Sequence, residues 1–236
     1  MSSPVTFADG RITLDDGKVN AFSVPTLRAL HAALDDAEAE AGAGPLVITG
    51  RPGRFSAGFD LGVFASGDGE AILEMLGLGA RLCERLLGFP RPVIVAAPGH
   101  ALAAGAFVLL AADVRIGVEG DFKIGLNESR IGMTLPWYVL ALAEYRLSRR
   151  HLDEAVTLGT VYDPRGAADA GYLDRVVAPD ALEAEIARTV EDLGALNADA
   201  FRGNKERLHR DVLPQVRDGA ERSLAEIRAA LAGAAA

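Results

Sequence analysis

Residues Lys123 to Met133 read KIGLNESRIGM, and within that run one carboxylate, Glu128, is set among mostly apolar or small residues, with Gly125 and Gly132 on either side. A solvated helix face would carry several charges, and a core strand would carry none. Burial in apolar surroundings raises the pKa of a carboxyl group, and a carboxyl that titrates near the working pH can take up and return a proton. The same residue can instead cap a short helix or pair with Arg130. The local string alone leaves these readings open.

Two glycine-bearing stretches are the other candidates. FSAGFDL (Phe55 to Leu61) follows the apolar run Leu46 to Gly50, and GHALAAGAF (Gly99 to Phe107) follows Val93 to Ala97. Both leave a strand end, and the second runs into a helical pattern. Helix N-termini present unpaired N–H groups and the positive end of a dipole. Small residues let a ligand atom approach the backbone. Two such stretches at neighbouring strand ends can aim two N–H groups at one carbonyl oxygen. In such an oxyanion hole, loss of one donor typically costs on the order of 10²–10³ in rate. Alternatively, the small residues permit close helix–strand packing.

Other reactive side chains point to structure. Cys83, the single cysteine, lies in the helical string RLCERLL and reads as a core residue. His100 reads as a loop or core residue, and His31, His151 and His209 fall in charged helical stretches and read as surface. Asp113 reads as a structural cap, and Lys205 as a solvated side chain or a contact for a phosphate. Met133, Trp137 and Tyr138 are candidates for a pocket lining or for the core. No Cys/His/Asp cluster has metal-ligand spacing.

The elements that must position these groups alternate. Val5 to Phe7 and Arg11 to Leu14 read as strands around the turn ADG. Ser23 is a good N-cap for a helix bearing Leu27, Leu30, Leu34 and Ala37 at helical spacing, which ends in EAGAGP. LVITG reads as a buried strand, RPGRFSAGFDL as a glycine-punctuated loop, and Glu70 to Leu87 as a helix stopped by Gly88 and Pro90. PVIVAAPG reads as a strand, HALAAGAFVLLAA as one buried helix, and DVRIGV as another strand. Helices follow at about Pro136 to Leu147 and Arg150 to Leu158. Asp163, Pro164 and Gly171 frame a short capped helix, and YLDRVV is a short strand. From Asp180 onward the pattern is helical and charged. The alternation predicts an α/β fold with covered sheets. We expect a core over 1–192 and a helical segment over 193–236, which packs on the core or on another subunit.

Composition narrows the partners. The chain has 236 residues, 50% hydrophobic and 24% charged, enough to bury a sizeable core. A net charge of −9 argues against nucleic acid and anionic membranes. The opening MSSPVTFADG lacks the pattern of a signal peptide, and the longest apolar stretch falls short of the ~20 residues that span a bilayer. With one unpairable thiol, the expected location is the cytoplasm.

Taken in order, GKVNAFS, FSAGFDL, GHALAAGAFVLLAADVRI, IGLNESRIGM and GYLDRVV resemble the motifs of the enoyl-CoA hydratase/isomerase (crotonase) family over roughly residues 5 to 180. The resemblance implies a crotonase-type spiral of ββα units with C-terminal helices that form a homotrimer or a dimer of trimers. It implies an acyl-CoA thioester as substrate, with coenzyme A part of that substrate and no separate cofactor. By this resemblance the oxyanion donors fall on Phe59 and Ala104, beside Gly58 and Gly105, and Ser56, Ala57, Asp60 and Leu61 lie along coenzyme A. Family hydratases hold a water between two glutamates. The first of those positions is Phe107 here, and the second is Glu128. One carboxylate facing an apolar wall suits double-bond migration better than hydration, and the string IGLNE looks most like the Δ3,Δ2-enoyl-CoA isomerase branch. Asn127 is expected either to orient the carboxylate or to serve as a turn residue. Hydratase activity, another acyl-CoA hydrolytic chemistry and a non-catalytic acyl-CoA-binding subunit remain alternatives.

Overall fold

The computed structural model describes residues 3–40, 42 and 44–234. Met1 and Ser2 of the opening stretch, and Ala41 and Ala43 of the segment expected to end the first helix, lie outside them. β1 (Val5–Ala8) and β2 (Arg11–Leu14) form an antiparallel hairpin, turned by Asp9 and Gly10 at φ 49° and 70°. β3 (Ala21–Phe22) leads into α1 (Val24–Ala39), where the Ser23 hydroxyl accepts from the Thr26 N–H as expected. Leu27, Leu30, Leu34 and Ala37 are the buried stripe of α1.

β4 (Leu46–Thr49) is buried along its whole length. The stretch that follows departs from expectation. It holds β5 (Gly53–Ser56), β6 (Gly58–Phe59) and α2 (Leu61–Ser66) rather than a plain loop. α3 (Gly69–Leu87) begins where the Asp68 carboxylate accepts from the Glu70 and Ala71 N–H groups. After β7 (Val93–Ala97), the run read as one helix divides into β8 (Gly99–Leu102) and α4 (Ala104–Ala111). A fully apolar run carries no period to separate strand from helix. β8 is fixed by a neighbour instead, because a Cβ on Gly99 would lie 2.0 Å from the Gly53 carbonyl carbon.

β9 (Val114–Val118) and β10 (Ile124–Gly125) precede a 3-10 turn at Glu128–Ile131. Then come α5 (Trp137–Arg146), α6 (Leu152–Val156), α7 (Pro164–Ala170), β11 (Arg175–Val177), α8 (Leu182–Gly194), α9 (Ala198–Leu208) and α10 (Val212–Ala234). The frame predicted for α7 holds: Asp163 accepts from the Gly166 N–H, and Gly171 ends the helix at φ 101°.

The strands sort into sheets ordered β1-β2-β4-β7-β9-β11, β10-β8-β5 and β3-β6. Apart from the β1–β2 hairpin, all pairings between these strands are parallel. The chain therefore repeats one step four times: a strand in the large sheet, a short strand in a smaller sheet, then a helix. The steps are β2-β3-α1, β4-β5-α3, β7-β8-α4 and β9-β10-α5, and each advances the spiral by one strand. The main core lies among α1, α3, α4, α5 and one face of the large sheet. A smaller cluster, including Ile94, Ile116 and Ile186, seals the other face beneath α8.

α8 runs to Gly194, so a boundary at 192 would cut a helix; the last helices begin after it. α10 lies against α3 and α5, and burial of Val212 and Val216 makes it part of the core. Two readings on α9 need correction. Lys205 is 7% exposed, neither solvated nor free for a phosphate; its Nζ lies 2.6 Å from Asp113 Oδ2. Asp113 also accepts from the Val93 N–H, so it fastens the α4–β9 corner to both β7 and α9. His209 is buried rather than on the surface, with Nδ1 2.9 Å from the Leu87 carbonyl oxygen. His31 is half-buried, its Nε2 3.0 Å from the Leu78 carbonyl oxygen.

Candidate active site

Glu128 is placed by the way the chain leaves β10. Gly125 has φ 151°, and a Cβ there would lie 2.9 Å from the Thr160 carbonyl oxygen, so the exit needs glycine. Buried Leu126 anchors the next step, and the 3-10 turn then begins at Glu128. Gly132, at φ 76°, closes it with its N–H on the Glu128 carbonyl oxygen. Arg130 does not pair with the carboxylate; its Nε donates to the Gly159 carbonyl oxygen at 2.6 Å. Glu128 is 5% exposed, and its Oε2 has no hydrogen-bond partner. Burial pushes the carboxyl up to about 7, against a downward pull from the amides of Glu128 and Asn127. Asn127 is half-buried and makes no capping bond to the turn, and its Oδ1 is likewise unpartnered.

The first glycine stretch is clamped from behind. Asn20, at φ 53° and buried, donates from Nδ2 to the Leu14 and Phe55 carbonyl oxygens at 3.0 and 3.1 Å. Ser56 is fully buried; its Oγ donates to the Asn20 carbonyl oxygen at 2.7 Å and accepts from the Gly58 N–H at 3.1 Å. The Ser56 side chain therefore holds the loop and does not face a ligand, contrary to expectation. Asp60 caps α2 through the Gly62 N–H at 2.8 Å, while Ala57 and Leu61 are exposed at the cavity mouth. Consecutive amides of a paired strand point to opposite edges. The Asp60 N–H donates to the Phe22 carbonyl oxygen, so the Phe59 N–H is directed away from β3.

The second stretch bends at Ala103, whose φ of 48° and ψ of −121° is a conformation non-glycine residues seldom adopt. α4 starts there, and Ala104, its first residue, has an N–H with no intrahelical acceptor. A Cβ on Gly58 would lie 2.8 Å from Ala103 Cβ and 3.2 Å from Ala104 N. One on Gly105 would lie 2.7 Å from the Ser56 carbonyl oxygen. Gly58 and Gly105 therefore serve close packing, and that packing brings the two stretches together.

Between them and Glu128 lies a cavity of about 100 Å³. Glu128 and Asn127 are its polar end, and Phe59, Phe107 and Met133 contribute apolar wall. The rings of Phe59 and Phe107 meet edge to face at 6.1 Å, and those of Phe107 and Tyr138 at 6.0 Å. Trp137 points elsewhere, its Nε1 3.0 Å from the Glu226 carboxylate. His100 accepts from the Lys123 N–H and does not line the cavity. Sequence reasoning missed Phe64 on α2 and assigned Leu76 only to a helix face; both line the cavity. The capping pattern of Asp60 was the signal for α2 and hence for Phe64. Among the described residues, no group of three or more His, Cys, Asp and Glu side chains is placed to hold a metal ion, and no helix is long and apolar enough to cross a membrane.

A buried, near-neutral carboxyl beside two loops with outward amides can move a proton on a ligand whose oxygen those amides hold. Known proteins with the same architecture frame that chemistry. A structure of an enoyl-CoA hydratase/isomerase family protein from Pseudomonas syringae is 39% identical, with a TM-score of 0.89 over 94% of this chain and 96% of that one. A Mycobacterium tuberculosis protein is 36% identical and is described in one structure as an enoyl-CoA isomerase and in another as a probable enoyl-CoA hydratase. The isomerase structure has a TM-score of 0.89 and covers 96% of this chain and 100% of its own. A probable enoyl-CoA hydratase of Bacillus subtilis is 37% identical over 52% of this chain, a match that spans 47% of that relative. The enoyl-CoA hydratase/isomerase family model matches residues 10–228, and the chain belongs to that family.

Proposed function

We propose that the protein moves the double bond of a 3-enoyl-CoA thioester to the 2 position. The observation that carries this is the lone carboxyl: Glu128 is buried with a free oxygen, and Phe107 stands in the cavity wall where a hydratase needs a second acid. In this reading the Phe59 and Ala104 N–H groups hold the thioester oxygen. Ionised Glu128 takes a proton from C2, and the electron pair moves into a dienolate stabilised by those two donors. Protonated Glu128 then returns the proton at C4, leaving the C2–C3 double bond. A carboxyl near 7 is matched to both transfers. The aromatic wall keeps water from competing. Ala57, Gly58, Asp60 and Leu61 would follow coenzyme A at the mouth.

The test is the absorbance of conjugated enoyl thioester on mixing the protein with a 3-enoyl-CoA, beside a Glu128→Gln variant. Conjugated product from the wild type alone supports the proposal. Rapid hydration of 2-enoyl-CoA with no conjugation would sink it. Hydration has one observation in its favour: Asn127 Oδ1 and Glu128 Oε2 are adjacent in sequence, buried and unpartnered, and a water between them would satisfy both. Assembly into trimers through the C-terminal helices belongs to the same proposal. It is supported by exposed Leu158, Leu196 and Leu208 and is checked by light scattering in solution.

A further inference from the structure

We propose that this site, read as an acyl-CoA isomerase site, is built for short acyl chains, and that Leu76 and Phe64 set the limit. The inference rests on that reading and on the size and closure of the cavity. A volume of about 100 Å³ is small for a ligand site, since sites for drug-sized ligands run to roughly 300–1,000 Å³. On this measure one water needs roughly 10–15 Å³, so on the order of seven to ten groups of that size, the thioester carbonyl and the reacting carbons among them, fill the space. Glu128 and Phe59 both line it, so the carbons between which the proton moves must occupy it. Little is left for the rest of a chain.

Aromatic side chains pack along one side of the cavity. Phe59, Phe107 and Tyr138 come from β6, α4 and α5 and interlock edge to face at 6.1 and 6.0 Å. The Phe59 ring is braced against α3, where a Cβ on Gly79 would lie 2.4 Å from its Cζ. Tyr138 is buried behind Phe107. Leu76 of α3, 6% exposed, half-buried Phe64 of α2 and Met133 supply the aliphatic and remaining aromatic lining, and the proposal places Leu76 and Phe64 at the chain's far end. Leu61 and Ile131, 64% and 46% exposed, also line the cavity and mark its solvent side. Added methylenes there lie partly in water and gain little. About one or two carbons past the reacting centre can be covered, which gives chains of about four to six carbons.

The experiment uses saturated acyl-CoA esters from four to twelve carbons, binding measured by calorimetry, with kcat/KM for the matching 3-enoyl esters in parallel. Each fully buried methylene is worth about fourfold in affinity. Affinity should rise at about that rate to six carbons and then stop rising or fall, with kcat/KM down at least tenfold by ten carbons. Leu76→Ala should move the break outward by two carbons or more. Phe64→Ala, on the short helix α2 where no residue is fully buried, should do the same and serves if Leu76→Ala folds poorly. A steady gain through twelve carbons in the wild type, or a break that neither variant moves, would overturn the proposal. A break in binding without isomerisation of any 3-enoyl ester would leave the chain limit standing and remove the isomerase reading. If no acyl-CoA of any length binds, both are lost.

Discussion

Replacing Glu128 by Gln should make the protein more stable at alkaline pH, and the size of the gain follows from the burial of the carboxyl. Its pKa rises from 4.5 to about 7 because desolvation disfavours the ionised form. Each tenfold change in an ionisation constant corresponds to about 1.4 kcal/mol, so the rise is worth roughly 3 kcal/mol. The sign follows from proton uptake. Below pH 4.5 the group is protonated in both the folded and unfolded chain, and its full contribution to stability is present. Between 4.5 and about 7 the unfolded chain ionises first, and stability falls as pH rises. Above about 7 both forms are ionised and the loss is complete. Glutamine has nearly the same shape and does not titrate. The stability of the variant minus that of the wild type should therefore grow across this window by about 3 kcal/mol, or several degrees in Tm for a chain of this size. Urea unfolding of both proteins at matched concentration, from pH 4.5 to 8.5, measures it. Taking the difference cancels the other carboxylates. A flat difference would mean Glu128 ionises as an ordinary surface residue, and reversible proton transfer near neutrality would lose its basis. A wild type that gains on the variant at high pH would mean that a cation or a further donor faces the carboxylate.

The same group predicts a kinetic limb. Proton abstraction needs ionised Glu128, so kcat/KM should fall about tenfold per pH unit below about 7, as read from initial rates at low substrate across pH 5 to 8.5. Gly105→Ala would place a Cβ 2.7 Å from the Ser56 carbonyl oxygen and 3.0 Å from Ser56 Cβ. The two glycine stretches must separate, and a displacement of about 1 Å near reacting groups costs on the order of 10² in rate. The expected result is a lowered kcat in a chain that still folds by circular dichroism. Lys205→Met should leave half-buried Asp113 without its cation and cost roughly 2–3 kcal/mol in urea unfolding, less than a fully buried pair would. The double change with Asp113→Asn should recover part of that loss.

Some of this architecture is local in origin and could be read along the chain. Ser23 and Asp163 cap their helices through an N–H three residues ahead. Glu128 stood out because a single carboxylate in a mostly apolar string is itself a local pattern. Other features exist only through a distant partner. β6 is two residues long and is defined by β3, and β8 is separated from α4 by contact with Gly53. Lys205 and His209 looked solvated because their helix is charged all round. They are buried by Asp113 and Leu87, which lie 92 and 122 residues away. The spiral arrangement itself came from the resemblance to a family. Periodicity predicted strands alternating with helices, but not that alternate strands would go to different sheets. Helix α2 was missed for a simpler reason: its glycine-punctuated surroundings read as a loop, although Asp60 caps it.

If position 107 is where hydratases of the family carry an acid, as the motif resemblance implies, its phenylalanine is more than a subtraction. In an apolar cavity of this size a second carboxylate would lie close to Glu128, and two such groups raise one another's pKa as well as ordering a water. With Phe107 in place the raised pKa comes from desolvation alone. The ring also has a structural role, since it is the middle member of the Phe59–Phe107–Tyr138 contact that ties β6 to α5. An acid introduced at 107 would therefore break an aromatic contact worth about 0.5–1.5 kcal/mol on each side and bury a second charge. Phe59, whose amide is the proposed first oxyanion donor, would lose the ring that supports it. The proposed acid/base chemistry, the apolar lining of the cavity and the support of the proposed donor loop are thus coupled through one side chain. A single exchange at 107 cannot convert a one-carboxylate site into a two-carboxylate site without disturbing the other two.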